Sequence, residues 1–339
     1  MPRALVTGSA GFIGFHLARR LLADGWQVVG LDAMSDYYDV KLKEDRHAIL
    51  MDSAGFTEVI GRLEDEGLVA GILAEDPFDA VFHLAAQAGV RYSIEAPETY
   101  VNSNLIGTFR VLEAVRNHPV PHLLMASTSS AYGANTEMPY VETQRADHQM
   151  SFYAATKKAN EAMAHSYAHL FDMPVTLFRF FTVYGPWGRP DMAPGKFARA
   201  IMRGEPIDVY NFGKMKRDFT YVTDLVEALV RLVPVAPVRV AVDEIATGDS
   251  LSPVAPFRVV NIGNAEPVAL MDFIATLEAA LGREARKNFM EMQPGDVPAT
   301  WADTSLLQNL TGYCPETHLA DGIKAFADWF RDYYGDNPK

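Results

Sequence analysis

Tyr153 and Lys157 stand four residues apart in the run Tyr153-Ala154-Ala155-Thr156-Lys157, downstream of Ser127-Thr128-Ser129-Ser130-Ala131-Tyr132-Gly133. On a helix such a pair shares one face, about one turn apart. A free phenol has a pKa of roughly 10, and a fixed ammonium beside it favours the phenolate and moves that value toward neutrality. The pair is therefore equipped to move a proton, with the Thr128 hydroxyl available to orient or relay it. Taken alone, the same spacing occurs on many solvated helix faces, so the rest of the chain has to supply a reaction.

The N-terminal stretch supplies a hydride acceptor. Ala4-Leu5-Val6-Thr7 reads as a strand, Gly8-Ser9-Ala10-Gly11-Phe12-Ile13-Gly14 as a glycine turn, and Phe15 to Asp24 as an amphipathic helix closed by Gly25. A second strand, Gln27-Val28-Val29-Gly30-Leu31, stops at Asp32. The glycines allow a tight turn and close backbone approach, so a pyrophosphate can meet the helix N-terminus and its dipole. Asp32 would accept from the adenosine ribose hydroxyls and repel a 2′-phosphate, so NAD is expected rather than NADP.

Apolar and helical segments keep alternating to about residue 180. Strands are expected at 80–84, 122–126 and 175–178, and helices at 102–117, with Leu105, Phe109, Leu112 and Val115 on one side, and at 153–171. Strands joined by crossover helices make an α/β protein with a Rossmann-type doubly wound parallel sheet, whose ligands bind at the carboxyl ends of the strands. Gly8, Asp32, Ala85, Thr128 and Thr182 all fall just past strand ends, which places them on one edge. After residue 180 the pattern loosens into a Gly- and Pro-rich loop with Arg189 and Asp191, then shorter strands and helices. We expect residues 1–180 to form the NAD-binding domain, with some later segments returning to it. Residues 181–339 are expected to be mainly a smaller C-terminal α/β substrate-binding lobe. Residues 234–256 show no clear period and read as an exposed excursion, and 293–298 as a loop.

Bulk composition narrows the classes. Hydrophobic residues make up 49% of 339 and charged ones 22%, as in a soluble globular protein. Thirty basic against 43 acidic side chains give a net charge of −13, which argues against nucleic acid or anionic membrane as a partner. Cys314 is the only cysteine, as suits a reducing cytoplasm, and no signal peptide or membrane span is expected. No metal site is expected.

Together these motifs identify the chain as resembling the extended short-chain dehydrogenase/reductase superfamily, over nearly its whole length. Gly-x-x-Gly-x-x-Gly at 8–14, Asp32, His83-Leu84-Ala85-Ala86, Thr128, Tyr153-x-x-x-Lys157 and Arg217-Asp218-Phe219 carry the likeness. Within it the chain is most similar to the UDP-glucuronate 4-epimerases. That likeness rests on the strings at 35–39, 88–93, 153–161 and 179–192, the last reading RFFTVYGPWGRPDM. The resemblance implies a cofactor set of Gly8, Gly11, Phe12, Ile13, Gly14, Asp32, Leu63, Ala85, Tyr153 and Lys157. It implies catalysis by Tyr153, Lys157 and Thr128, and UDP-sugar contacts from Thr128, Ser129, Ser130, Thr182, Arg189, Tyr210, Arg217 and Asp296. Arg62 stands where many relatives carry an Asp that contacts adenine, so that contact is not carried over.

The implied reaction oxidises C4 of UDP-glucuronate, lets the 4-keto sugar rotate, and reduces it from the other face to UDP-galacturonate. The intermediate is a β-keto acid, and Arg189 would hold its carboxylate out of line with the carbonyl through a bidentate pair. Related 4,6-dehydratases and UDP-glucuronate decarboxylases carry acids near Thr128 where this chain has Ser129 and Ser130. UDP-glucose 4-epimerase is the alternative enzyme reading; a non-catalytic NAD sensor and a structural dimerisation module are the others. The helices near 100–117 and 153–171 resemble those that pair into a homodimer in this superfamily.

Overall fold

The computed structural model describes residues 1–293, 295–335 and 338; of the expected loop at 293–298, Pro294 lies outside the described residues. The first half alternates as expected: β1 (Arg3–Thr7), α1 (Phe12–Ala23), β2 (Gln27–Asp32), α2 (Val40–Met51), β3 (Phe56–Ile60), α3 (Leu68–Glu75) and β4 (Ala80–His83). Two single-turn helices, α4 (Tyr92–Glu95) and α5 (Pro97–Tyr100), then lead into α6 (Gly107–Asn117), β5 (Leu123–Ala126), α7 (Phe152–Phe171) and β6 (Val175–Phe180). The strands lie side by side in the order β3-β2-β1-β4-β5-β6, every pair parallel. That is the order of a dinucleotide-binding sheet. Strands β4, β5 and β6 are buried along their whole length, as expected for a sheet covered by helices on both faces.

The remaining elements are β7 (Thr182–Tyr184), α8 (Ala193–Arg203), β8 (Pro206–Val209), β9 (Lys216–Tyr221), α9 (Val222–Leu232), β10 (Phe257–Ile262), β11 (Pro267–Ala269), α10 (Leu270–Leu281), β12 (Arg286–Phe289), β13 (Ala299–Thr300), α11 (Ser305–Thr311) and α12 (Leu319–Tyr334). The chain does return to the first unit, because β10 pairs with β6 as the seventh parallel strand. A separate sheet gathers β7, β11 and β13 around β9, with its own core of Phe219, Phe273, Ile323, Phe326 and Phe330. Asp218 in β9 ties the two regions. Its buried carboxylate accepts from the backbone N–H groups of Asn264, Ala265 and Ala302.

Two local expectations are corrected. Residues 102–117 are not one regular helix: Val101–Ile106 is a π-helical segment that runs into α6. Asn104 of this segment and Thr108, Leu112 and Val115 of α6 are buried, whereas Ile106 and Phe109 are exposed. The excursion at 234–256 is not wholly exposed either. Leu251 and Ala255 are buried, and Asp249 forms a two-point ion pair with Arg258 of β10 at 2.9 Å.

Glu142 accepts from the Asn261 backbone N–H at 2.8 Å and is pushed up to about 7 by burial. Burial likewise raises Asp218 to about 6. Both folded-state values lie above the ordinary carboxylate range, so the folded protein binds these protons more tightly than the unfolded chain. Their contribution to stability is full below about pH 4 and is lost as pH rises toward 7. Replacing Glu142 with Gln should remove its share, on the order of 3 kcal/mol. Unfolding midpoints from pH 4 to 8 read this directly, and parallel curves for the two proteins would refute it.

Candidate functional site

The glycine turn is built by contact. Gly8 has φ +77°, and a Cβ on it would sit 2.9 Å from the Ala85 backbone nitrogen; a Cβ on Gly14 would lie 2.0 Å from the Gly8 carbonyl oxygen. Only glycine lets α1 start this close to β1 and β4. Gly11 caps α1 without a side chain, leaving the first backbone N–H groups of the helix directed at the adjoining space. The Asp32 carboxylate, at the end of β2, accepts from Ala10 N–H at 3.0 Å and Met34 N–H at 2.9 Å. Buried Arg46 donates to the Ala10 and Trp187 carbonyls, strapping the turn to the loop that carries Arg189.

A cleft of about 380 Å3 opens along this strand-end edge. Gly8, Gly11, Phe12, Ile13, Gly14, Asp32, Leu63, Ala85, Tyr153, Lys157 and Arg189 all line it. The cradle that a Cβ would fill, the helix N-terminus and the acid at the end of β2 fit a dinucleotide such as NAD. Arg62 also lines the cleft, but its side chain is exposed and reaches Glu64 at 3.5 Å. Lys43, unmarked by any motif in the sequence, joins the wall and donates to the Ser35 carbonyl at 2.6 Å.

Ser151 caps α7 by accepting from Ala154 N–H at 3.1 Å, which sets Tyr153 in the first turn and Lys157 one turn later. Burial raises the Tyr153 phenol above its ordinary value, against the lowering expected from Lys157; the Thr128 hydroxyl and the Arg189 charge oppose the rise. Burial also pushes Lys157 down to about 8, while Glu161 pulls it up. The Glu161 carboxylate accepts from Ser127 Oγ at 2.7 Å, from Arg179 Nε and Nη2 at 2.9 and 2.8 Å, and from Lys158 at 2.9 Å. Burial would raise this carboxyl, but the Arg179 hydrogen bonds and charge hold it well below its ordinary value.

Thr128, Ser129, Ser130 and Thr182 are not among the residues lining the cleft. The first three form a turn continuous with lining residue Ser127, Thr128 Oγ1 accepting from Ser130 N–H at 3.1 Å. Thr182 begins β7, opposite Phe219. Three other expected residues gather apart from the cleft around Arg91, which pairs with Asp296 at 3.2 Å and stacks over the Tyr210 ring at 4.4 Å. Arg217 feels the same Asp296 charge. Arg91 lay in one of the strings carrying the resemblance, but nothing local marked it as the hub of this group. Arg189 is already engaged: Asp191 accepts from its Nε at 3.0 Å and Nη2 at 2.6 Å.

The chain matches the NAD dependent epimerase/dehydratase family over residues 4–238. It is 55% identical to a Rhizobium meliloti protein described as "Probable UDP-glucuronate 4-epimerase", covering 98% of each chain. Its fold is similar to the UDP-glucuronic acid 4-epimerase of Bacillus cereus solved with UDP-glucuronic acid and NAD, with TM-score 0.87, 32% identity, and 98% and 100% of the two chains covered. The UDP-glucose 4-epimerase of Thermotoga maritima with UDP-glucose is also similar, at TM-score 0.83, 26% identity, and 97% and 99% coverage. The resemblance to nucleotide-sugar epimerases expected from the sequence is borne out, and the protein belongs to the NAD dependent epimerase/dehydratase family.

Proposed function

We propose that this protein interconverts UDP-glucuronate and UDP-galacturonate by epimerisation at C4, with NAD retained as cofactor. The observation that carries the reading is one cleft holding the glycine turn, Asp32, Tyr153, Lys157 and Arg189. The names of the Rhizobium and Bacillus proteins support the same substrate. NAD, when bound, supplies the reversible two-electron carrier that inversion at a carbinol carbon requires. Gly8, Gly11, Phe12, Ile13, Gly14 and Asp32 would hold its pyrophosphate and adenosine ribose, and Leu63 and Ala85 would flank it. Lys157 would hold the nicotinamide ribose.

Tyr153 takes the proton from the C4 hydroxyl and returns it after the sugar has turned, with Thr128 orienting the oxygen. Because burial holds this phenol high, it ionises only as further positive charge enters the cleft, which couples proton removal to assembly of the full complex. Arg189 anchors the sugar carboxylate, with hydroxyls from Thr128, Ser129, Ser130 and Thr182 beside it, and so keeps the β-keto acid from losing carbon dioxide. Ser129 and Ser130 bring no acid that could drive elimination. Tyr210, Arg217 and Asp296, joined by Arg91, would hold the uridine and diphosphate. A neutral hexose would make no use of Arg189, which disfavours the UDP-glucose alternative.

On this reading residues 1–180 mainly bind NAD and 181–339 mainly bind the sugar nucleotide. Exposed Ile106 just before α6 and Phe109 in it, with Phe152, Leu170 and Phe171 on α7, support a homodimer through these helices. Among the described residues no helix is long and apolar enough to cross a membrane. A single cysteine suits a reducing compartment such as the cytoplasm.

Purified protein incubated with UDP-glucuronate should form UDP-galacturonate without added reductant, read by NMR. Turnover of UDP-glucose but not UDP-glucuronate would sink the substrate assignment. Tyr153→Phe should lower kcat about 100- to 10,000-fold while leaving NAD binding in place; a wild-type rate would remove Tyr153 as the base. Arg189→Ala should cost on the order of 100-fold in kcat/KM or release UDP-pentose products. Unchanged kinetics and product would refute the carboxylate anchor.

A further inference from the structure

We propose that Asp191, backed by Tyr37, is a positioning residue that presents Arg189 to the sugar carboxylate. The inference rests on the carboxylate-anchor role given to Arg189 above. A guanidinium carries five N–H donors in a rigid plane. Asp191 occupies one edge of that plane, taking the Nε and Nη2 donors at 3.0 and 2.6 Å, and the Ala88 carbonyl lies 3.4 Å from Nη2. Nη1 is left with no partner among the described residues, and Arg189 lines the cleft. Two aromatic rings stand beside it as well: the guanidinium carbon lies 5.6 Å from the Tyr37 ring centre and 5.8 Å from that of Tyr38. Tyr37 in turn lies close enough to Asp191 for that carboxylate to raise its phenol further, after burial, and packs its ring 4.6 Å from that of Tyr92.

Two consequences follow for a carboxylate in the cleft. It meets the arginine from the Nη1 side, because the opposite edge is filled, and the arginine does not have to be ordered at that moment. The guanidinium is also already half-neutralised. A small free anion gains little from it, whereas a carboxylate delivered on a bound UDP-sugar arrives at high effective concentration. Asp191 thus trades general anion affinity for a fixed approach direction, and direction is what keeps the C5–C6 bond away from the C4 carbonyl π system. When that control fails, the C5–C6 bond breaks, its electron pair moves toward the C4 carbonyl, carbon dioxide leaves and C5 takes a proton. The product is a UDP-4-keto-pentose.

The test uses NAD-loaded Asp191→Asn, Tyr37→Phe and Arg189→Ala proteins with UDP-glucuronate. KM, kcat and the ratio of epimer to pentose products are measured, beside NAD content and thermal midpoint. Asp191→Asn should raise KM at least fivefold and release pentose products, with NAD content unchanged. Tyr37→Phe should move both in the same direction by less. A lower KM in Asp191→Asn would mean that Asp191 merely competes with the substrate carboxylate, and would overturn the proposal. Unchanged KM and product purity would overturn it too, and Tyr37→Phe decides on the same readouts if Asp191→Asn does not fold. A defective Arg189→Ala beside a normal Asp191→Asn removes only the positioning role, whereas a normal Arg189→Ala removes the carboxylate anchor itself.

Discussion

A buried carboxylate holds together the side of this protein that bears Tyr153 and Lys157. Glu161 is almost fully out of water, where an unpaired ion would cost several kcal/mol. It is offset by four donors drawn from three elements: Ser127 just past β5, Arg179 twice from β6, and Lys158 from its own helix. Satisfying one charge therefore aligns the end of β5, the adjacent strand and the helix bearing Tyr153 and Lys157. Because Lys157 lies one turn from Glu161, the same carboxylate helps keep a buried ammonium protonated. Position and protonation state thus share one physical origin.

The first sheet and the later segments are coupled by equally specific ties. Arg46 joins the glycine turn to the loop before Arg189, and Asp218 gathers three backbone donors from segments near residues 264 and 302. Neither tie touches the space where chemistry would occur. The Arg46 tie fixes the glycine turn relative to the loop that carries Arg189.

What could be read from the chain beforehand follows a physical pattern. The glycine turn and Asp32 were legible because close backbone approach admits only glycine and because a strand, helix and acid must follow at short range. Tyr153 and Lys157 were legible for the same local reason. Arg91 and Asp296 meet across 205 positions, so nothing near either one announced the pair. Leu112 and Val115 face inward as expected, but Phe109 is exposed, because within the regular α6 it lies at the edge of the stripe that Thr108, Leu112 and Val115 occupy. The phenol of Tyr153 was expected to move down on the strength of one neighbour, but its own burial moves it up. The engagement of Arg189 by Asp191, only two residues on, shows that proximity in sequence does not reveal which partner a side chain chooses.

The return of β10 to the first sheet bears on how the protein is made. Until residue 262 has been synthesised, β6 is an unpaired edge, and every residue along it is apolar or destined for burial. At roughly 5–20 residues per second that edge stays open for several seconds after its own strand has emerged. An exposed edge of this kind is a template for pairing with another chain. The nascent protein therefore passes through an aggregation-prone interval that no strand of its N-terminal half can close, and chaperone demand should be concentrated there.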